Sequence, residues 1–86
     1  MYLDGKIISG EFNNETQEFS LQKVKHLYTE TTLKENQINE LYSYLKLHED
    51  ETDGQIITLY DQMLVRLSPE EIGILLEELE ILQRMY

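Results

Sequence analysis

Apolar residues recur along this chain with two different spacings, and the change of spacing predicts its elements. In the C-terminal stretch SPEEIGILLEELEILQRMY, Ile72, Leu75, Leu76, Leu79, Leu82 and Tyr86 return every three or four residues and line one face of a helix. Ser68, Pro69 and Glu71 supply the start signal: a cap, a proline at the first helical position and an S-x-x-E capping box. At about 100° per residue, Ile74, Ile81 and Met85 fall on a second apolar strip roughly opposite the first. Glu70, Glu71, Glu77, Glu78 and Glu80 occupy the surface between the two.

Two further stretches carry the helical period. Thr32-Leu33-Lys34-Glu35 is a capping box before Ile38, Leu41, Tyr42 and Leu45, and Thr52-Asp53-Gly54-Gln55 precedes Ile56, Leu59, Tyr60, Met63, Leu64 and Leu67. The N-terminal part alternates instead. Segments of about 6–12 and 17–23 read as two strands, with Asn13-Asn14-Glu15-Thr16 as the turn because Asn tolerates the left-handed region. Val24, Leu27 and Tyr28 fit a short helix or a continuing strand, and Thr29, Thr31 and Thr32 around Glu30 suggest a loop.

Together these patterns predict a single α+β domain over 1–86. It has an N-terminal hairpin (about 6–12 and 17–23) followed by three antiparallel helices (about 33–48, 54–67 and 69–85) with short connections. An all-helical protein with a loose N-terminus is the alternative. Two strands alone are marginal in water, so the hairpin must pack on the helices or pair with another chain.

Composition narrows the function classes. The chain has no cysteine, which removes disulfides and thiolate metal sites. No apolar run approaches the roughly 18–20 residues that span a bilayer. MYLDGKIISGEF has neither a basic start nor an apolar core, so a cytoplasmic protein is expected. Charge is the outlying property: 17 acids against 7 bases give a net −10. Residues 1–43 hold seven acids and four bases, a net −3, and residues 44–86 hold ten and three, a net −7. Direct contact with nucleic acid or an anionic membrane is disfavoured, since phosphate contacts need clustered Lys or Arg. A basic partner would be attracted.

Catalytic and metal constellations are missing. His26 and His48 stand in no metal-binding spacing, and there is no nucleophile elbow or phosphate loop, so no enzyme, no metal and no cofactor are expected. Glu49, Glu51, Asp53 and Gly54 imitate the start of an EF-hand loop, but the twelfth position is Tyr60 where a bidentate glutamate is needed. The six tyrosines lack the basic groove that base stacking requires.

Two binding readings follow. In the first, Glu49, Asp50, Glu51, Asp53, Glu70, Glu71, Glu77, Glu78 and Glu80 form an acidic surface that imitates nucleic-acid phosphates and occupies the basic cleft of a partner protein. Helical acids at three- and four-residue spacing sit roughly 5–6 Å apart. In composition alone the chain resembles small phage or bacterial nucleic-acid mimics. In the second, the strip of Ile74, Ile81 and Met85 docks a second copy or another protein, as in a small dimeric adaptor or regulatory subunit. The two are compatible, since a homodimer doubles the acidic surface.

Overall fold

A computed structural model describes residues 1–50, 54–58 and 64–86. Four strands come first: β1 (Tyr2–Asp4), β2 (Ile8–Asn13), β3 (Glu18–Val24) and β4 (Leu27–Lys34). Helix α1 (Glu35–Leu47), the ribbon strands β5 (Gln55–Thr58) and β6 (Leu64–Leu67), and helix α2 (Pro69–Gln83) follow. The first four strands form one antiparallel sheet in chain order, and β5 and β6 pair separately. The fold is therefore α+β, with two helices among the described residues.

The predicted three-helix arrangement does not form: the described residues hold two helices. The expected helix over about 54–67 contributes β5 and β6 instead, in the register Ile57 opposite Val65 and Gln55 opposite Leu67. Ile56, Ile57 and Val65 are β-branched, which favours strands. Ile57, Val65 and Leu67 are buried while Ile56, Leu64 and Arg66 are exposed, the period of two that a strand requires. Gly54, the expected helix start, has φ +75. That is a left-handed conformation no helical position uses, and a Cβ there would collide with the Leu67 carbonyl oxygen. The Thr52 capping box lies outside the described residues.

The expected hairpin is the middle of a larger sheet. Phe12 lies opposite Phe19, Gly10 opposite Leu21 and Ile8 opposite Val24, and the side chains of Ile8, Phe12, Phe19, Leu21 and Val24 share the inner face. β1 adds Leu3 to that face opposite Gly10, and β4 adds Leu33 opposite Phe19. The segment around Thr29–Thr32, expected as a loop, is strand, and Thr32, Leu33 and Lys34 of the expected capping box belong to β4. Helix α1 starts later, with Gln37 Oε1 accepting from the Lys34 N–H at 2.8 Å. In the first turn, Asn13 acts through its side chain: Oδ1 accepts from the N–H groups of Glu15 (2.9 Å) and Thr16 (3.2 Å). The left-handed backbone there falls to Gln17, at φ 55.

The helices close the inner face of the sheet. Phe12, Phe19, Leu21 and Val24 from the sheet, Ile38 and Leu45 from α1, and Ile72, Leu75, Leu79 and Leu82 from α2 form one buried cluster. The primary helix face read from the sequence is thus the core face of α2. Tyr86 completes it, its ring meeting Phe12 edge-on at 4.8 Å and its hydroxyl donating to the Leu33 carbonyl at 2.9 Å. Helices α1 and α2 run antiparallel, with Tyr42 bonded to Glu80 and Asn39 to Gln83. None of the described helices is long and apolar enough to cross a membrane.

Lys25 joins three elements in one place. It sits at φ 57 in the two-residue turn between β3 and β4. Its Nζ donates to the Arg66 carbonyl at 3.0 Å and pairs with Glu71 Oε2 at 3.0 Å, tying the sheet to the ribbon and to the first turn of α2. A non-glycine residue in this region costs on the order of 1 kcal/mol and persists where its surroundings fix it.

Candidate functional site: the acidic surface and the second strip of α2

The nine acids singled out in the sequence meet different fates. Glu78 is inside, only 7% exposed. Its Oε2 accepts from the Lys6 N–H at 2.6 Å, and its Oε1 accepts from the N–H groups of Ile7 at 3.1 Å and Ile8 at 3.0 Å. Three successive backbone donors converge on one carboxylate, an anion-binding concavity filled by the chain's own side chain. Gly5 permits the approach, since a Cβ there would strike the Glu78 carboxylate. Glu78 therefore holds the β1–β2 connection against α2 and adds nothing to an outward acidic array.

Glu71 is half-buried at the start of α2. It accepts from the Ser68 N–H at 2.8 Å and pairs with Lys25, and these two partners hold its carboxyl below the usual carboxylate range. Glu80 accepts from the Tyr42 hydroxyl at 2.8 Å, a bond that raises the Tyr42 pKa. Glu49 pairs with Lys46 at 3.2 Å. Asp50, Glu70 and Glu77 are exposed. Glu51 and Asp53, two of the EF-hand-like positions, lie outside the described residues. Among the described residues, no group of three or more His, Cys, Asp or Glu side chains could hold a metal ion.

This distribution changes the charge spacing. With Glu78 inside, Glu71 paired and Glu80 half-buried, the exposed acids of α2 are Glu70 and Glu77, seven residues and about 10 Å apart along the axis at 1.5 Å per residue. Duplex DNA carries one charge per about 1.7 Å of axis, so α2 alone does not reproduce a phosphate row.

The apolar strip divides too. Ile74 and Met85 are partly buried and pack against the core, while Ile81 remains 43% exposed. More exposed apolar side chains lie elsewhere, with Leu47 at 80%, Leu64 at 66% and Ile56 at 53% exposed. The last two share the outer face of the β5–β6 ribbon. The helical reading of 54–67 concealed them, although the alternation Val65-Arg66-Leu67 and the β-branched Ile56, Ile57 and Val65 are the signal that could have found them.

The outer face of the sheet is polar. Glu11, Glu18, Ser20, Gln22 and Thr32 border a shallow depression of about 370 Å³. Tyr28 stands beside it with the Lys23 ammonium 5.7 Å from its ring centroid. Of the two histidines, His26 is exposed in the β3–β4 turn and His48 caps α1, its ring 4.6 Å from that of Tyr44.

Comparison with protein-family models, with curated proteins and with solved structures returns no match to this chain.

Proposed function

We propose that this is a non-enzymatic binding protein that engages a basic protein through its net acidic surface. One observation carries the reading. Ten of the acids among the described residues are exposed, on β1, β2, the β2–β3 turn, β4, both helices and the segment after α1. Two of the seven cations, Lys25 and Lys46, are already engaged in ion pairs with Glu71 and Glu49. The surface left over is acidic on several elements, and such a field attracts and orients a cationic partner.

A nucleic-acid-binding protein is the most concrete partner class, because an extended basic surface is what such proteins present. The spacing on α2 favours a field spread over several elements over a phosphate-by-phosphate imitation by one helix. The test is capture from a lysate followed by titration of the purified partner. Affinity should fall at least about tenfold between 0.1 M and 1 M salt, as the screening length shortens from about 10 Å to about 3 Å. DNA should compete. Affinity that is flat across this range overturns the reading.

A second reading has its own observation. Ile56 and Leu64 expose apolar surface on one face of the ribbon, which suits an adaptor or regulatory subunit docking by apolar contact. Salt-insensitive binding lost in an Ile56→Glu, Leu64→Glu variant would favour it over the acidic reading.

A further inference from the structure

We propose that a second copy of this chain pairs antiparallel with the outer edge of β4, joining two four-stranded sheets into one. β4 ends the sheet, with β3 as its one neighbour among the described strands. Phe19 and Leu33 are cross-strand partners. The Phe12 backbone faces β1, its N–H donating to the Met1 carbonyl at 2.7 Å and its carbonyl accepting from the Met1 amino group at 3.1 Å, so the backbone groups of its β3 partner Phe19 face β4. The Leu33 backbone groups therefore face β3. By the alternation of an antiparallel ladder, those of Thr32 and Lys34 face away. The Lys34 N–H is taken by Gln37 Oε1, which leaves Thr32 at the centre of the edge.

Side chains then select the register. Glu30 and Thr32 border the outer face of the sheet, and Lys34 lies opposite Glu18 on that same face. Two-fold pairing centred on Glu30 would set glutamate against glutamate, and pairing centred on Lys34 would set lysine against lysine. Centring on Thr32 sets Glu30 opposite the second copy's Lys34 and Lys34 opposite its Glu30, with the two threonines facing each other. Opposite charges and Thr–Thr pairs directly across strands are favourable, and like charges are not. A shift of one residue would turn the outer side chains to the inner face. The irregularity that sets Thr29 and Glu30 against Gln22 keeps the regular stretch short and twists the strand before it, a device that limits open-ended pairing. A two-fold contact uses up both copies of the edge and closes as a dimer.

Sedimentation of the full chain over a range of concentrations tests this. Wild type should form a dimer. Glu30→Lys and Lys34→Glu should each remain folded by circular dichroism. Each should weaken dimerisation on the order of tenfold or more, because the two-fold axis repeats every substitution. The double variant Glu30→Lys, Lys34→Glu should recover dimerisation. A wild type that is monomeric throughout, single variants that dimerise like wild type, or a double variant no better than the singles would overturn the proposal.

Discussion

Replacing Glu78 by alanine removes the acceptor of three backbone N–H groups at once, and the size of the loss can be worked out from its contacts. Hydrogen bonds to a charged group contribute about 1.5–3 kcal/mol each, but three bonds to one carboxylate are not additive. Leaving the N–H groups of Lys6, Ile7 and Ile8 around an emptied, 7% exposed site resembles breaking a buried ion pair, which costs about 3–5 kcal/mol. A domain of this size has roughly 4–13 kcal/mol of total stability. Urea unfolding followed by far-UV circular dichroism should therefore move to a midpoint about 2–3 M lower, for a slope near 1.5 kcal/mol per M. Glu78→Gln keeps one carbonyl oxygen for Ile7 and Ile8 and loses the acceptor for Lys6, so its cost should be smaller, about 1–2 kcal/mol. Glu77→Ala is the control. Its side chain is exposed one position away, and it should stay within about 0.5 kcal/mol of wild type. If Glu78→Ala and Glu77→Ala unfold at the same midpoint, the carboxylate is not what holds the β1–β2 connection to α2.

Two further perturbations follow from the ends of the sheet. Burial pushes the Tyr86 hydroxyl up to about 12, assisted by the nearby charge of Glu35, so the folded chain prefers the neutral phenol. That preference contributes fully below about pH 10 and is lost as pH rises from about 10 towards 12. Two pKa units correspond to about 2.7 kcal/mol, reduced to on the order of 1–2 for a half-buried ring in contact with solvent. Urea melts at about pH 8 and pH 11 should thus lose less in Tyr86→Phe than in wild type, and an equal loss in both removes the assignment. At the other end, Lys25→Gly should relieve the left-handed backbone but lose the Nζ bonds to Arg66 and Glu71, whereas Lys25→Met loses the bonds and keeps the strain. Lys25→Met should therefore be the less stable by about 1 kcal/mol in the same urea assay. The Glu71 contribution runs the other way in pH. It is present above the unfolded carboxylate value, near 4.3, and is lost as pH falls through the depressed folded value, and both Lys25 variants should flatten that acid limb.

What could be read from the sequence was what local spacing determines. The core face of α2 was legible because Ile72, Leu75, Leu76, Leu79 and Leu82 keep the helical period over nearly three turns and the Ser68 box has no competitor. The stretch 54–67 misled because Ile56, Leu59, Tyr60, Met63, Leu64 and Leu67 satisfy a three- and four-residue spacing while Val65, Arg66 and Leu67 also satisfy a period of two. Short apolar runs do not separate the two by periodicity alone. The β-branching of Ile56, Ile57 and Val65 was the better guide. β4 was missed for a related reason: its threonines have turn chemistry in isolation, and only pairing with β3 makes a strand of them.

The acids of α2 carry the same lesson to the candidate site. Glu77 and Glu78 are adjacent, identical in chemistry and equally compatible with an exposed acidic face. Rotation by about 100° leaves Glu77 outward and turns Glu78 towards the β1–β2 connection. What makes that turn favourable is seventy residues away in the chain: Gly5, which leaves room, and the three N–H groups that follow it. A buried carboxylate is stable only where such donors meet it, so a count of acids overstates an acidic surface whenever the fold supplies a concavity for one of them. The charge available to a partner is the charge left after these internal uses, and on α2 that is chiefly Glu70 and Glu77.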